Sequence, residues 1–299
     1  MENKSRQLRN LLAFGALYCA AATSSAYAQV GLALAPARAE LSIKVGEQRS
    51  GTLKVLSQSA QPVHLRSEVL DYEIDENATA RYERELPREK SASCKSWLTL
   101  SPAEFDIKKD GVLNVSYSLH PPAGLTEGSY ACAAGFTTLP NWPQPTESGN
   151  RGASNLFATV FVTIGSPAVS GSIKEVKVEP VGTKSKSPAG WRAVVVIENS
   201  GTMYFRPKGT FEVLSLDGKT IEAFDFPSLP VLRQREQRFI FPINSNLGPG
   251  SYRFRVRISL GNKIQEKLAD VVVDTPTPPV RTAEYPTPVF STERTAVEN

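Results

Sequence analysis

The chain has 299 residues, of which 40% are hydrophobic and 21% are charged. Its 34 basic and 30 acidic residues give a net charge of +4, and no clustered basic stripe follows the chain. Such a balance argues against nucleic acid as a partner, because neutralising a phosphate backbone requires grouped lysines and arginines. At about 100 to 150 residues per domain, the length predicts two domains.

The first 28 residues have the three parts of a secretory signal peptide. These are the bases Lys4, Arg6 and Arg9, an apolar stretch from Leu11 to Ala22, and the exit Ala26-Tyr27-Ala28. We expect cleavage after Ala28, which also discards Cys19. No later stretch reaches the roughly 18 apolar residues of a membrane-spanning helix, so no stable membrane insertion is expected. The prediction is a periplasmic protein, with an extracellular or cell-surface location as the alternative.

After the signal peptide, short alternating apolar runs between Gly, Pro and Asn residues predict an all-β protein. In the first half the predicted strands are Leu32 to Leu41, Ser50 to Leu56, Val63 to Tyr72, Trp97 to Leu100, Phe105 to Ile107, Leu113 to Leu119, Gly128 to Thr137 and Asn155 to Ile164. In the second half they are Ile173 to Pro180, Trp191 to Glu198, Lys208 to Leu214, Ile221 to Phe226, Gln237 to Pro242, Gly250 to Ser259 and Ile264 to Val273.

About seven short strands in each half are typical of an immunoglobulin-like sandwich. We therefore predict two tandem immunoglobulin-like β-sandwich domains, at 31–165 and 170–274. Residues 275–299 are rich in proline and polar residues, which predicts a disordered tail.

Two features bear on how the predicted domains are held together. Cys94 and Cys132 are the cysteines that remain after export, and a pair in an oxidising compartment predicts one disulfide. Two separate buried thiols are the alternative. Tyr130 and Tyr252 each follow a Gly-Ser dipeptide after a turn, a position at which sandwich tyrosines bond back to the upstream turn. Both tyrosines are therefore predicted to be structural.

Two insertions are irregular. The stretch from Asp71 to Lys90 is the most charged in the chain, and it predicts a solvated hairpin of compensating charges in preference to a calcium loop, which needs a glycine and a terminal glutamate. Trp142, between prolines in the segment from Leu139 to Gly152, is either an exposed contact with a partner or packed under its own loop.

The sequence offers little for catalysis. Its two histidines, His64 and His120, have no metal-ligand spacing, and neither lies in a nucleophile motif. Two carboxylates from distant strands could still converge, but no pattern indicates it. We expect a protein that is not an enzyme and that has no metal and no cofactor.

The turns and core residues of the first half resemble the N-terminal domain of periplasmic pilus-assembly chaperones. The resemblance lies in Leu34 to Leu41, Val45-Gly46-Glu47, Gln58 to Pro62, Trp97-Leu98, Ser101-Pro102, and Pro121-Pro122 ahead of Gly128-Ser129-Tyr130. The second half is similar to the second domain of such two-domain proteins, and the match spans roughly Leu32 to Val273. It implies two immunoglobulin-like sandwiches.

The resemblance also implies a mode of binding, in which the last strand of the first domain is added to the sheet of an incomplete subunit. Leu156, Ala158, Val160, Val162 and Ile164 would then be the contributed side chains. The competing interpretation is a final strand covered by its own core. Arg38 falls where these chaperones hold a subunit's terminal carboxylate, but the last strand lacks the accompanying lysine.

We therefore expect a non-enzymatic chaperone-like or adaptor protein that binds exported or surface proteins, such as a pilus-like subunit, through a sheet edge of the first domain. The alternative is a structural or adhesive component of the cell envelope, in which the sandwiches are spacers. The oligomeric state is left open by the sequence.

Overall fold

The computed structural model describes residues 31–59, 61–85, 92–139, 154–181, 190–245, 247–261 and 263–273. The expected signal peptide, the proline-rich tail and Trp142 lie outside these residues. Among the described residues, no helix is long and apolar enough to cross a bilayer.

The first half of the chain forms a sandwich of two mainly antiparallel sheets. Its strands are β1 (Leu32–Ala35), β2 (Arg38–Ile43), β3 (Arg49–Ser57), β4 (Val63–Ile74), β5 (Ala80–Glu83), β6 (Leu98–Ser101), β7 (Glu104–Ile107), β8 (Val112–Leu119), β9 (Gly128–Thr138) and β10 (Asn155–Ile164). One sheet has the order β1-β3-β8-β6. The other has the order β2-β10-β9-β4-β5, with β7 also paired to β4.

Pro36 divides the first predicted strand into two. Proline has no N–H to give to a ladder, so a strand ends or changes partner at this residue. Before it, β1 pairs with β3 in one sheet, and after it β2 pairs with β10, in parallel, in the other. A single stretch of chain thereby supplies an edge strand to each of the two sheets.

The second half forms another sandwich. Its strands are β11 (Gly171–Val181), β12 (Gly190–Asn199), β13 (Lys208–Leu214), β14 (Thr220–Asp225), β15 (Glu236–Ile243), β16 (Gly250–Leu260) and β17 (Lys263–Val273). The sheets have the orders β11-β12-β15 and β14-β13-β16-β17.

Each sandwich has a separate apolar core built from the alternating inward residues of its strands. Leu53, Leu65 and Phe136 are among the fully buried side chains of the first core, and Phe211 and Phe254 lie at the centre of the second. The all-β class and the two sandwiches confirm the predicted fold. The limits of the two domains stay predictions.

The disulfide and the hydrogen bonds of the two tyrosines agree with the sequence prediction. Cys94 and Cys132 form a disulfide with their Cα atoms 5.2 Å apart, and both cysteines are buried. The hydroxyl of Tyr130 donates to the carbonyl of Thr126 at 2.8 Å, and that of Tyr252 donates to the carbonyl of Gly248 at 2.9 Å. Each tyrosine thus fastens the turn that precedes its strand.

The charged stretch forms a hairpin, as predicted, in its described part. The strand β5, which the sequence analysis missed, pairs with the end of β4. At the turn, Asp75 Oδ1 accepts the backbone N–H groups of Asn77 and Thr79, both at 2.9 Å. The Asp75 carboxylate therefore closes a turn, which fits a hairpin better than a calcium loop.

A group of charged side chains joins β4 to β7. His64 lies between two carboxylates, with Nδ1 2.8 Å from Asp106 Oδ1 and Nε2 3.6 Å from Glu104 Oε2. Arg66 Nε lies 2.8 Å from the other oxygen of Glu104. The hydrogen bond from Arg66 is the main reason why the pKa of the Glu104 carboxyl lies below its usual value of 4.5.

Because the pKa of Glu104 is lowered in the folded state, the free energy of unfolding should depend on pH in the acid range. The stabilisation that the ionised Glu104 carboxylate gives to the folded state is present above pH 4.5. It is lost as the pH falls through the lower pKa of the folded state. We expect Glu104→Gln to flatten the loss of stability below pH 4.5, measured as the urea midpoint at a series of pH values. Arg66→Ala should flatten the same range, and the double variant should add nothing. Equal pH dependence in all variants would contradict this assignment.

Candidate partner-binding edge

The open edge of the first sandwich lies at the beginning of β10. On one side β10 pairs with β9 along all ten residues, from Asn155 to Ile164. On the other side it pairs with β2 only from Thr159 to Ile164. No strand among the described residues covers the outer side of the four residues from Asn155 to Ala158. An uncovered segment of this kind can accept an additional strand.

The backbone groups on this outer side follow from the alternation along a strand. The N–H of Thr159 points away from β9, because it donates to the carbonyl of Ala37 at 3.1 Å. Successive residues of a paired strand direct their N–H and C=O groups to opposite sides. The N–H and C=O groups of Asn155 and Phe157 therefore also point outward, where they can bind a partner's backbone.

The predicted row of contributed side chains lies inside the protein. Ala158, Val160, Val162 and Ile164 are at most 1% exposed and belong to the first core, against which Leu156 also packs. In this fold these side chains hold the two sheets of the sandwich together, as in the competing interpretation of a final strand covered by its own core. Their contact with a partner stays a prediction. The part of β10 that lacks a strand partner on its outer side, among the described residues, is the backbone from Asn155 to Ala158.

The opposite face of β10 is covered by aromatic rings. Phe157 stacks on Tyr82 of β5, with ring centroids 4.2 Å apart. Phe161 is 2% exposed and contacts Tyr72 and Tyr204, at centroid distances of 5.7 and 4.5 Å. Tyr204 belongs to the second sandwich, so this cluster joins the two halves of the protein.

Backbone hydrogen bonds strengthen this junction. The N–H of Ser129 donates to the carbonyl of Thr202 at 2.8 Å, and the N–H of Tyr204 donates to Ser129 Oγ at 2.7 Å. Burial raises the pKa of the Tyr72 and Tyr204 hydroxyls, so both rings remain neutral in the cluster. The second sandwich is thereby held against the first one beside β10.

Arg38 lies at the end of the open edge, directly opposite Thr159 of β10. Its side chain is half exposed, and its Nε lies 3.1 Å from Glu40 Oε1. Arg206 of the second sandwich binds the same oxygen at 2.9 Å. Its guanidinium carbon lies 4.9 Å from the ring centroid of Phe161, a cation–π contact. Two cations therefore flank a single carboxylate.

Arg206 is a candidate site residue that the sequence analysis missed. The last strand of the first sandwich, β10, has no lysine. Arg206 brings a second positive charge close to Arg38 from the other sandwich. It follows Tyr204 in the segment that docks on β10. No motif marks this segment, because only the packing of one sandwich on the other brings it near Arg38.

A cleft of about 1300 Å³ separates the β4–β5 hairpin from the outer face of the β11-β12-β15 sheet. Glu73, Asp75 and Glu76 lie on the hairpin side, and Lys174 and Lys177 are among the bases on the other side. Because both walls are charged, the cleft suits a polar segment better than an apolar one. Within the described residues, no group of three histidine, cysteine or carboxylate side chains could hold a metal ion.

No protein-family model and no curated protein sequence matches this chain. Similar solved structures include the class 5 fimbriae chaperone CfaA, with 10% identity and a TM-score of 0.43 over 81% of this chain and 98% of that one. The E. coli chaperone DraB has 12% identity and a TM-score of 0.40 over 82% of this chain and 98% of that one. The Salmonella enterica SafA pilin in complex with the SafB chaperone has 13% identity and a TM-score of 0.41 over 83% of this chain and 99% of that one. Since each TM-score is below 0.5, the function of this chain has to be argued from its own residues.

Proposed function

We propose that this protein is an exported, non-enzymatic chaperone-like or adaptor protein that binds another exported protein, such as a pilus-like subunit. The partner contributes a strand to the open edge of β10. The observation that carries the proposal is the position of this edge, which ends at a half-exposed arginine, Arg38. The cleavable signal peptide and the periplasmic location are parts of the same proposal.

The edge defines how a partner strand would lie. It occupies the outer side of Asn155 to Ala158, in line with β2, which runs parallel to β10. A strand that is also parallel to β10 ends where β2 begins, at Arg38. The carboxyl terminus of the partner then lies beside this arginine, and an antiparallel strand would place its amino terminus there instead.

The charges favour the parallel arrangement. Arg38 and Arg206 together carry two positive charges against the single negative charge of Glu40. A terminal carboxylate brings the cluster to neutrality, whereas a terminal ammonium group adds a third positive charge. Hydrogen bonds from arginine to carboxylate are among the stronger polar contacts. We therefore assign the pair Arg38 and Arg206 to the recognition of a C-terminal carboxylate.

A labelled ten-residue peptide of alternating valine and threonine tests this assignment, in one form with a free C-terminal carboxylate and in another with an amide. We expect the amide to bind about tenfold to a hundredfold more weakly, because bonds to a charged group contribute about 1.5 to 3 kcal/mol. Arg38→Ala and Arg206→Ala should weaken the carboxylate peptide to a similar extent. Fluorescence anisotropy with the full chain measures each affinity.

The amide peptide is also the control for specificity, since neither arginine variant should weaken it further. Arg49→Ala removes an exposed arginine of β3 that pairs with Glu47, and it should leave both affinities unchanged. Equal binding of the two peptides would contradict the carboxylate assignment. Failure of both peptides to bind would contradict the proposed edge itself.

A further inference from the structure

The edges of the four sheets differ in how they are protected against pairing with another chain. Among the described strands, β1, β5, β6 and β7 have four residues each, while β2 and β14 have six. Short edges offer few backbone groups to a partner. The longer edge strand β15 contains Pro242, which cannot donate to a ladder.

The edge strand β11 is protected more elaborately. It contains Pro180 and a register shift between Ile173 and Glu175. Side chains from β17 also bind its backbone, since Gln265 Nε2 donates to the carbonyl of Gly171 at 2.7 Å and Lys267 Nζ donates to that of Lys174 at 2.6 Å. These features blunt the edge.

The edge strand β17 has none of these features. It has eleven residues, contains no proline and no glycine, and pairs with β16 without a register shift. No described strand pairs with its other side. The charge of the inward-directed Lys267 is occupied by carbonyls of β11, and an edge strand of this length without proline or bulge is open to pairing with a second chain.

The outward face of β17 is also apolar at regular intervals. Ile264, Leu268 and Val272 are 65%, 51% and 63% exposed. They stand four residues apart, so all three lie on one face of the strand. Glu266 and Asp270 lie between them, and Asp270 is bound by Arg253 of β16 at 2.7 Å. Isolated exposed apolar residues are ordinary, but a row along an open edge indicates a contact surface.

We propose that β17 pairs with β17 of a second copy of this chain, antiparallel and about a twofold axis at Leu268. In this register Leu268 faces Leu268 of the second copy, and Ile264 faces Val272 twice. The three apolar residues thus meet apolar partners. A shift by two residues would place Leu268 against an acid, and a shift by one would turn the apolar row to the other face.

This pairing also closes on itself. A twofold contact uses the same surface on both copies and stops at the dimer, whereas pairing of β17 with the opposite edge strand β14 would continue into a fibre. In the dimer Glu266 lies opposite Asp270 of the second copy. Arg253 binds Asp270, and Arg257 is the β16 residue opposite Glu266, so each acid has an arginine beside it.

Single cysteines test the register in the full chain, with Cys19→Ser so that any chain that keeps the signal peptide also lacks a free thiol. Leu268→Cys should form a disulfide-linked dimer under mild oxidation. Ile264→Cys alone and Val272→Cys alone should not, whereas a mixture of these two variants should cross-link. These outcomes would support the pairing, because Cβ atoms directly opposite each other in an antiparallel pair are about 4.5 to 5.5 Å apart.

Sedimentation equilibrium tests the dimer without cysteines. We expect the mass to double as the concentration of the chain rises, and Leu268→Lys to abolish this. Leu216→Lys changes a leucine that is 60% exposed outside the edge, and it should leave the dimer intact. A monomer at all concentrations, or fibres in which no single cysteine of β17 cross-links, would overturn the proposal. If dimers form only when the chain is truncated after Asp274, then the tail and not a second copy pairs with β17 in the full chain. That result would also overturn the proposal.

Discussion

Replacing Val160 by aspartate is expected to unfold the first sandwich, and to abolish partner binding only as a consequence. Val160 is 1% exposed and points into the first core from the middle of β10. An uncompensated charge at a buried position costs about 3 to 5 kcal/mol, which is a large part of the stability of a domain. Urea unfolding followed by circular dichroism measures the loss.

The control places the same charge on the outer face of the same sandwich. Asn114→Asp changes an exposed residue of β8, and it should alter the free energy of unfolding by no more than about 0.5 kcal/mol. A Val160→Asp protein that folds with normal stability but no longer binds the carboxylate peptide would contradict the structure of β10. It would show that this side chain reaches the partner directly.

Removing the disulfide is expected to cost the first sandwich about 3 to 4 kcal/mol. Cys94 and Cys132 are 38 residues apart, and in the chain-entropy model a loop of that length gives a stabilisation of this size. The disulfide also connects the segment that follows the charged hairpin to β9, whose residue Cys132 lies opposite Asp71 of β4. Urea unfolding with and without a reductant measures the effect.

The double variant Cys94→Ala/Cys132→Ala separates the loss of the disulfide from other effects of the reductant. It should have the reduced stability in both conditions. The second sandwich contains no cysteine, so its unfolding should not respond to the reductant. Unchanged stability of the reduced wild-type chain would show that packing alone holds Cys94 against β9.

The sequence predicted most of the strands, because alternation of apolar residues and turn residues are local signals. The missed strand β5 reads Ala80-Arg81-Tyr82-Glu83, whose alternation extends over only four residues and lies within the most charged stretch of the chain. Its stability comes from pairing with β4 and from the ring contact of Tyr82 with Phe157. Both depend on tertiary structure. The division of the first strand at Pro36 is visible in the sequence only as a proline.

The candidate site was less predictable than the fold. Arg38 was recognised through a family resemblance, and Arg206 was missed because it belongs to another sandwich, 168 positions later in the sequence. The apolar alternation of β10 also fits two roles, a contributed strand and a core strand. Only the pairing with β2 and the burial of Val160 and Val162 show which part of the strand is accessible.

Hydrogen exchange of the β10 backbone, resolved by residue, tests the proposed function most directly. In the free chain the outward amides of Asn155 and Phe157 should exchange fast, while those of Leu156 and Ala158, which face β9, should be protected. Saturation with the carboxylate peptide should slow Asn155 and Phe157 by at least about tenfold, as expected for new backbone hydrogen bonds. Amides at these two positions that are already protected in the free chain, or that do not respond to bound peptide, would contradict an open edge that receives a partner strand.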